Sequence, residues 1–287
     1  MIYLILSILI STGLFVIFKY FGIYKVDVLK AIFINYIVAF IMGFTFAERN
    51  FSVLEIPNQP WFLGALCLGV LFVSVFFVMA MTAQKNGVSV TSVAGKMSVV
   101  IPVFFGVFLY DESITFLKVL GILIALIAVY LASVKEDKKA SKQAGLLLPI
   151  LLFLGSGAID TILKYVEVTY VPKNDVSIFS GSLFGIAAFI AAVILIIKAI
   201  KKRENFGLKN IIAGIVLGVP NYFSIIFLIK ALQTEGFESS TLFTINNVGI
   251  VIVSTLVGIL LFKEQFSLKN KIGVALAILG IVIVALA

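Results

Sequence analysis

Residues 99–130, VVIPVFFGVFLYDESITFLKVLGILIALIAVY, decide how this chain is read. An apolar run ends in Leu109-Tyr110-Asp111-Glu112, a short polar turn follows, and a second apolar run opens with Gly121. The pattern returns 152 residues later, in residues 251–282, VIVSTLVGILLFKEQFSLKNKIGVALAILGIV. Six of the 32 aligned positions are identical: Val99/Val251, Gly106/Gly258, Leu109/Leu261, Glu112/Glu264, Gly121/Gly273 and Ala125/Ala277. Apolar helices share residues by chance, so no single pair is decisive. The shared order of run, Leu-x-x-Glu ending and following glycine is the stronger sign that one half of the chain repeats the other.

The composition around these stretches is that of a membrane protein. Of the 287 residues, 62% are hydrophobic and 13% charged, and the mean hydropathy is +1.20. Soluble domains are about 45–50% apolar and about 25% charged, and a chain of this length cannot bury such an excess. A bilayer-spanning helix needs about 20 mainly apolar residues. Ten runs qualify, at 2–20, 28–46, 61–83, 89–110, 116–134, 146–166, 175–198, 209–232, 239–262 and 268–286. A β-barrel would show alternating segments of about ten residues; these are about twice as long and apolar on every face. The first run lacks a basic start and a small-residue cleavage site, so it reads as a span, not a signal peptide. The expected fold is all-α: ten transmembrane helices in two five-helix repeats, 1–134 and 145–287, joined by a basic linker at 135–144.

Five spans per repeat send the second half into the membrane from the opposite side, an inverted repeat of the kind many secondary transporters use. With ten spans, the loops after odd-numbered spans hold sixteen Lys and Arg, against four (Arg49, Lys118, Lys173 and Lys230) on the other side. The positive-inside rule then puts the sixteen in the cytoplasm and both termini outside. The formal net charge of +8 is thereby accounted for by topology in the cytoplasmic membrane, with no nucleic-acid partner.

Several chemistries are excluded. There is no histidine, and Cys67 is the only cysteine, so His-based triads, His-ligated metals and intrachain disulfides cannot form. Cys67 reads as a small packing residue. No GxxxxGK[ST] loop is present for ATP. The acidic pairs Asp111-Glu112 and Glu136-Asp137 do not form a metal or acid–base pattern, so an enzyme is not expected and no cofactor or metal is implied.

With its ten spans, its two halves and the endings Leu109-Tyr110-Asp111-Glu112 and Leu261-Phe262-Lys263-Glu264 before Gly121 and Gly273, the chain resembles the drug/metabolite transporter superfamily, nearest its EamA-type branch. The resemblance implies a small-solute carrier that works by alternating access, with its binding cavity between the repeats; the expected function is export of a small polar metabolite, by a monomer or homodimer, with a coupling proton as a further partner. Members of that branch place both termini in the cytoplasm; here the charge bias predicts the flipped orientation, and both termini inside is the alternative. The proton-exchanging glutamate that multidrug relatives carry in their first span is absent: the middle of this one is Ser11-Thr12-Gly13. Multidrug efflux is the alternative function, with a passive channel or an enzyme behind it.

Ionisable groups inside spans cost about 2.5–3.5 kcal/mol each and mark function by default. Lys96 lies mid-span in Ala94-Gly95-Lys96-Met97-Ser98, where it would meet a carboxylate or phosphate on the substrate; a neutral or paired structural lysine is the competing reading. Asp160 and Lys164 share one face of the sixth span at i, i+4, as a self-compensating pair or as cavity residues, with Asp160 the candidate for proton coupling. Asn246 and Asn247 in the ninth span align with Ala94 and Gly95, and Asn35-Tyr36 and Asn221-Tyr222 lie near the centres of the second and eighth spans. Their amides suit amino-acid-like or polyol solutes or serve as interhelical hydrogen bonds. Pro102 and Pro220 are expected to kink their helices and free carbonyls beside these residues. Glu112 and Glu264 read as helix caps or interface anchors, with a gate role as the alternative. Trp61, Tyr110 and Tyr170 read as interfacial aromatics.

Overall fold

The computed structural model describes residues 1–45, 52–109, 116–133, 142–172, 175–201, 206–232 and 239–285, and within these the regular structure is helical throughout. The helices are α1 (Ile2–Ile23), α2 (Val28–Thr45), α3 (Phe62–Lys85), α4 (Val88–Met97), α5 (Val100–Leu109), α6 (Phe116–Ser133), α7 (Lys142–Tyr170), α8 (Val176–Lys201), α9 (Leu208–Leu232), α10 (Ser239–Phe262) and α11 (Leu268–Ala285), with a 3-10 turn at Val53–Asn58. Backbone groups in lipid can be satisfied only within helices or closed barrels, and the apolar runs obey that constraint. Eight spans are long and apolar enough to cross a bilayer, and α6 adds a shorter apolar stretch, Val119–Ala132. The protein is therefore a multi-pass membrane protein.

Helix ends fall close to the predicted runs. α10 matches its run, while α7 extends four residues beyond it at each end. The fourth run differs in kind. It forms one span, Val88–Phe105, built from two helices separated at Ser98 and Val99.

The described residues form two compact units. Unit 1 comprises Met1–Tyr20, Val78–Ala158 and Phe223–Ala287; unit 2 comprises Phe21–Phe77 and Ile159–Tyr222. Each draws on both halves of the sequence.

In unit 2, α2 packs along α8. Glycines set this approach: a Cβ on Gly43 would come within 2.9 Å of the Gly181 backbone, so the two helices meet there without side chains between them. Phe40 lies over Gly185, so residue numbers rise on one helix as they fall on the other, and the pair is antiparallel. A polar cluster ties the starts of α2 and α9 to the end of α8. The Asp27 carboxylate caps α2 by accepting the amides of Leu29 (3.1 Å) and Lys30 (3.3 Å). It also meets Lys30 Nζ at 3.5 Å and Lys198 Nζ at 3.4 Å, and the Asp27 amide donates to Asn210 Oδ1 at 3.0 Å. Trp61, just ahead of α3, is 1% exposed and in edge contact with Phe179. Cys67, expected to pack, is exposed on α3.

In unit 1, α6 packs along α11 and α4 packs against α10, both pairs antiparallel. Asn270 Nδ2 at the start of α11 donates to the Leu131 (3.1 Å) and Ala132 (2.9 Å) carbonyls at the end of α6. The Ser254 hydroxyl of α10 bonds the Ser92 hydroxyl of α4. α1 runs parallel to α10, with Leu4 in the same cluster as Leu242 and Tyr20 against Phe262 at 5.4 Å.

Candidate functional site

Unit 2 places two of the predicted amides together. Asn221 Nδ2 on α9 donates to Asn35 Oδ1 on α2 at 3.2 Å. Asn35 is fully buried and Asn221 is 4% exposed. Their meeting follows from local fit: Gly218, one turn before Asn221, backs directly onto the Asn35 backbone and Val38. An amide carries two donors and an acceptor, and the pair does not use them all. Asn35 Nδ2 has no protein partner, nor has the hydroxyl of the adjacent, fully buried Tyr36. Leaving such groups unmet among apolar neighbours costs about 1–3 kcal/mol each. Tyr36 is flanked by Phe76 (5.5 Å) and Phe184 (6.1 Å), so hydrogen-bonding groups sit beside aromatic faces. Tyr222 is also buried. Asp160 and Lys164 stand exposed on α7 in the same unit.

Unit 1 holds Lys96, Asn246 and Asn247. α4 ends one residue beyond Lys96, because Pro102 has no amide for the Ser98 carbonyl and its ring crowds the preceding turn. The amides of Ser98 and Val99 turn to the Lys96 carbonyl. The Ser98 hydroxyl takes the Gly95 carbonyl at 2.6 Å, and the Ser98 carbonyl accepts the Ile101 amide at 2.9 Å. Lys96 is half-buried in the last turn of α4, where a cation complements the negative end of the helix dipole. A Cβ on Gly95 would meet nothing within 4 Å, so open space adjoins the lysine. Asn246 and Asn247 are buried at 1% and 3%, and Asn246 Oδ1 lacks a protein partner. Ser89 lies opposite Gly258 and Ser92 opposite Ser254. Continued at one rise per residue on each helix, that register sets the break at the level of Asn247.

Pro220 behaves differently from the expectation: α9 runs through it unbroken. Gly218 and Gly214 seat that helix tightly on α2, with no room to bend toward it. Among the caps, Glu112 and Tyr110 lie outside the described residues, as does most of the basic linker at 135–144. Glu264 is a cap, but of α4 and not of its own helix. Its carboxylate accepts the Val88 amide at 2.6 Å and the Ser89 hydroxyl at 3.0 Å. Sequence reasoning missed three polar contributors: Ser89, the Ser92–Ser254 pair and the Asp27 cluster. An Asp directly ahead of an apolar run is an N-cap signal that could have exposed the last.

Residues 1–134 match the EamA-like transporter family. An uncharacterized protein of Haemophilus influenzae is 29% identical, covering 97% of this chain and 95% of its own length. The probable glucose uptake protein GlcU of Bacillus cereus is 26% identical over 84% of this chain and 85% of its own, and the glucose uptake protein GlcU of Bacillus subtilis is 28% identical over 70% and 69%. A crystal structure of a protein 14% identical in sequence matches with a TM-score of 0.59, covering 98% of this chain and 97% of that one, a likeness of fold alone. Residues 1–134 thus match the EamA-like transporter family, the branch that the two matched helix ends resemble.

Proposed function

We propose that the protein is a secondary carrier of ten spans in two inverted repeats, and that it moves a small polar solute of the sugar or amino-acid-like class by alternating access. The observation that carries the solute class is the buried Asn35–Asn221 pair, with its unspent Asn35 donor, next in sequence to the equally unspent hydroxyl of Tyr36, whose ring two phenylalanines flank. Amides and aromatic faces suit hydroxyl-rich solutes, and a lipophilic cation would need neither donor. The names of the Bacillus relatives point to a sugar. The inverted repeat is supported by the way helices of equal rank pair antiparallel: α2 with α8, α4 with α10, and α6 with α11. Alternating access is reversible, so the driving gradient and not the fold sets the direction of net flux.

A thermal-shift screen of the purified protein against sugars, amino acids, nucleosides and cationic dyes tests this reading. A sugar or amino acid is expected to raise Tm, and Asn221→Ala to remove that rise. Stabilisation by dyes alone, or a rise that survives Asn221→Ala, would contradict it. Asp160 is the carboxylate we assign to proton coupling. Asp160→Asn should abolish accumulation driven by a pH gradient in vesicles while leaving exchange of labelled solute intact; accumulation that persists removes Asp160 from that role.

A further inference from the structure

One end of unit 1 is closed by a contact that α4 could not make alone. The helix starts after Gly87, whose φ of 108° and ψ of 165° belong to a region open essentially to glycine, and no hydrogen bond from a side chain at that position caps it. The cap comes from the end of α10. One oxygen of Glu264 accepts the Val88 amide at 2.6 Å; the other accepts the Ser89 hydroxyl at 3.0 Å and the Ser89 amide at 3.4 Å. Gly87 and Gly258 make room, since a Cβ on either would strike the carboxylate. The turn that aims it has Lys263 at φ 51° and the Glu264 amide on the Gly258 carbonyl at 3.0 Å. Behind the contact, Phe15, Val88 and Ile250 form a buried apolar seal with Met79 and Phe262 packed against it. Lys19 Nζ closes the rim on the Gln84 carbonyl at 3.3 Å.

We propose that Glu264 latches the start of α4 to hold this end of unit 1 closed, and that its release lets α4 turn about Ser98 and Val99 and withdraw Val88 from the seal. An ordinary N-cap precedes its helix and moves with it; a cap lent by another helix is lost when the two part. A carboxylate on a helix N-terminus is a charge-assisted bond that also complements the dipole, so the contact favours the closed state strongly while remaining breakable. The moving part is short, the ten residues of α4, and it ends at a helix break beside the open space at Gly95. The proposal rests on the alternating-access reading, but its test needs no substrate.

The test uses Cys67→Ala protein with one new cysteine at a time. Ser92→Cys places a thiol on α4 under the latch, at a fully buried position. Ala231→Cys places one at the other end of unit 1, in the cluster with Leu4 and Leu242. Labelling by a charged, water-soluble thiol reagent is the readout. Glu264→Gln should speed labelling of Ser92→Cys by about tenfold or more, the scale of losing hydrogen bonds to a charged group, with Ser89→Ala giving a smaller rise and Ala231→Cys unchanged or slower. Unchanged labelling of Ser92→Cys in both variants overturns the latch. So does a rise at both cysteines together, which marks a contact that merely stabilises the fold. If Glu264→Gln fails to fold, Ser89→Ala decides alone. Failure of the ligand screen with the labelling pattern intact would sink the solute assignment and leave the latch standing.

Discussion

The segments Val88–Phe105 and Ser239–Phe262, which the sequence alignment sets on each other, pack together and yet are built differently. α10 is one continuous helix from Ser239 to Phe262; its counterpart is broken between α4 and α5. The alignment of residues 99–130 with 251–282 sets Pro102 of the broken span on Ser254 of the intact one. The proline denies a hydrogen bond to its own helix, whereas Ser254 bonds both the Val251 carbonyl (3.1 Å) and, across the interface, Ser92. The residues before the break differ too, with Ala94-Gly95-Lys96 where the other half has Asn246-Asn247-Val248. One half keeps a rigid post and the other carries a joint with a lysine beside it. Equal rank preserves the packing, while single residues decide which helix can bend.

The comparison can be broken outright by moving the joint. Ser254→Pro should interrupt α10 and lose the bond to Ser92, destabilising the protein by about 3 kcal/mol or more; a melting temperature equal to that of the parent would mean that the rigidity of the ninth span does not matter. Lys96→Met tests the lysine at the joint. Transport should fall by about tenfold or more, the value of charged hydrogen bonds, with expression and Tm unchanged; unaltered uptake kinetics would take Lys96 out of the site. Asn221→Ala reaches the other unit. It strips Asn35 of its observed partner at a fully buried position and should cost about 1–3 kcal/mol, read as a lower Tm without substrate. The smallest effect belongs to Gly95→Ala. Its added methyl enters open space, so the fold should gain about 0.5–1 kcal/mol from helix propensity, while turnover slows if α4 must flex there.

Two prolines sharpen the same point. Pro102 opens its helix and Pro220 does not. Both remove an amide, and from the sequence both promise a kink. Beside Pro102, Ser98 offers a hydroxyl that takes up the Gly95 carbonyl, so the break leaves less unsatisfied. Around Pro220, Gly214 and Gly218 fit α9 so closely to α2 that bending would cost the contact. The difference lies in what surrounds each ring, and helix-level rules do not see it.

Much of the fold was legible because a bilayer makes strong local demands. About 20 apolar residues in a row leave few alternatives to a spanning helix, and the predicted runs meet the observed helices to within a few residues. The candidate site was legible in parts. Asn35 and Asn221 stood out as amides in apolar runs, since a buried polar group needs a partner, but nothing along the chain said that they partner each other across 186 residues. Glu264 was legible as a cap, yet its helix was not its own. Asp27 was passed over because it sits between spans, where charges are cheap.

The sequence by itself determined that this is a helical membrane protein, where its apolar helices begin and end, and which few polar residues they carry. Each of those follows from the cost of exposing polar atoms to lipid, a cost paid residue by residue. Only the tertiary structure decided that the compact units cross the two halves of the chain, that Asn221 meets Asn35, that Glu264 reaches Val88 and Ser89, and that Pro102 rather than Pro220 breaks a helix. Those outcomes depend on the register between helices, which small residues such as Gly43, Gly181, Gly218 and Gly258 set by letting backbones or a carboxylate approach. Register is a property of two surfaces together, and one strand of sequence does not state it.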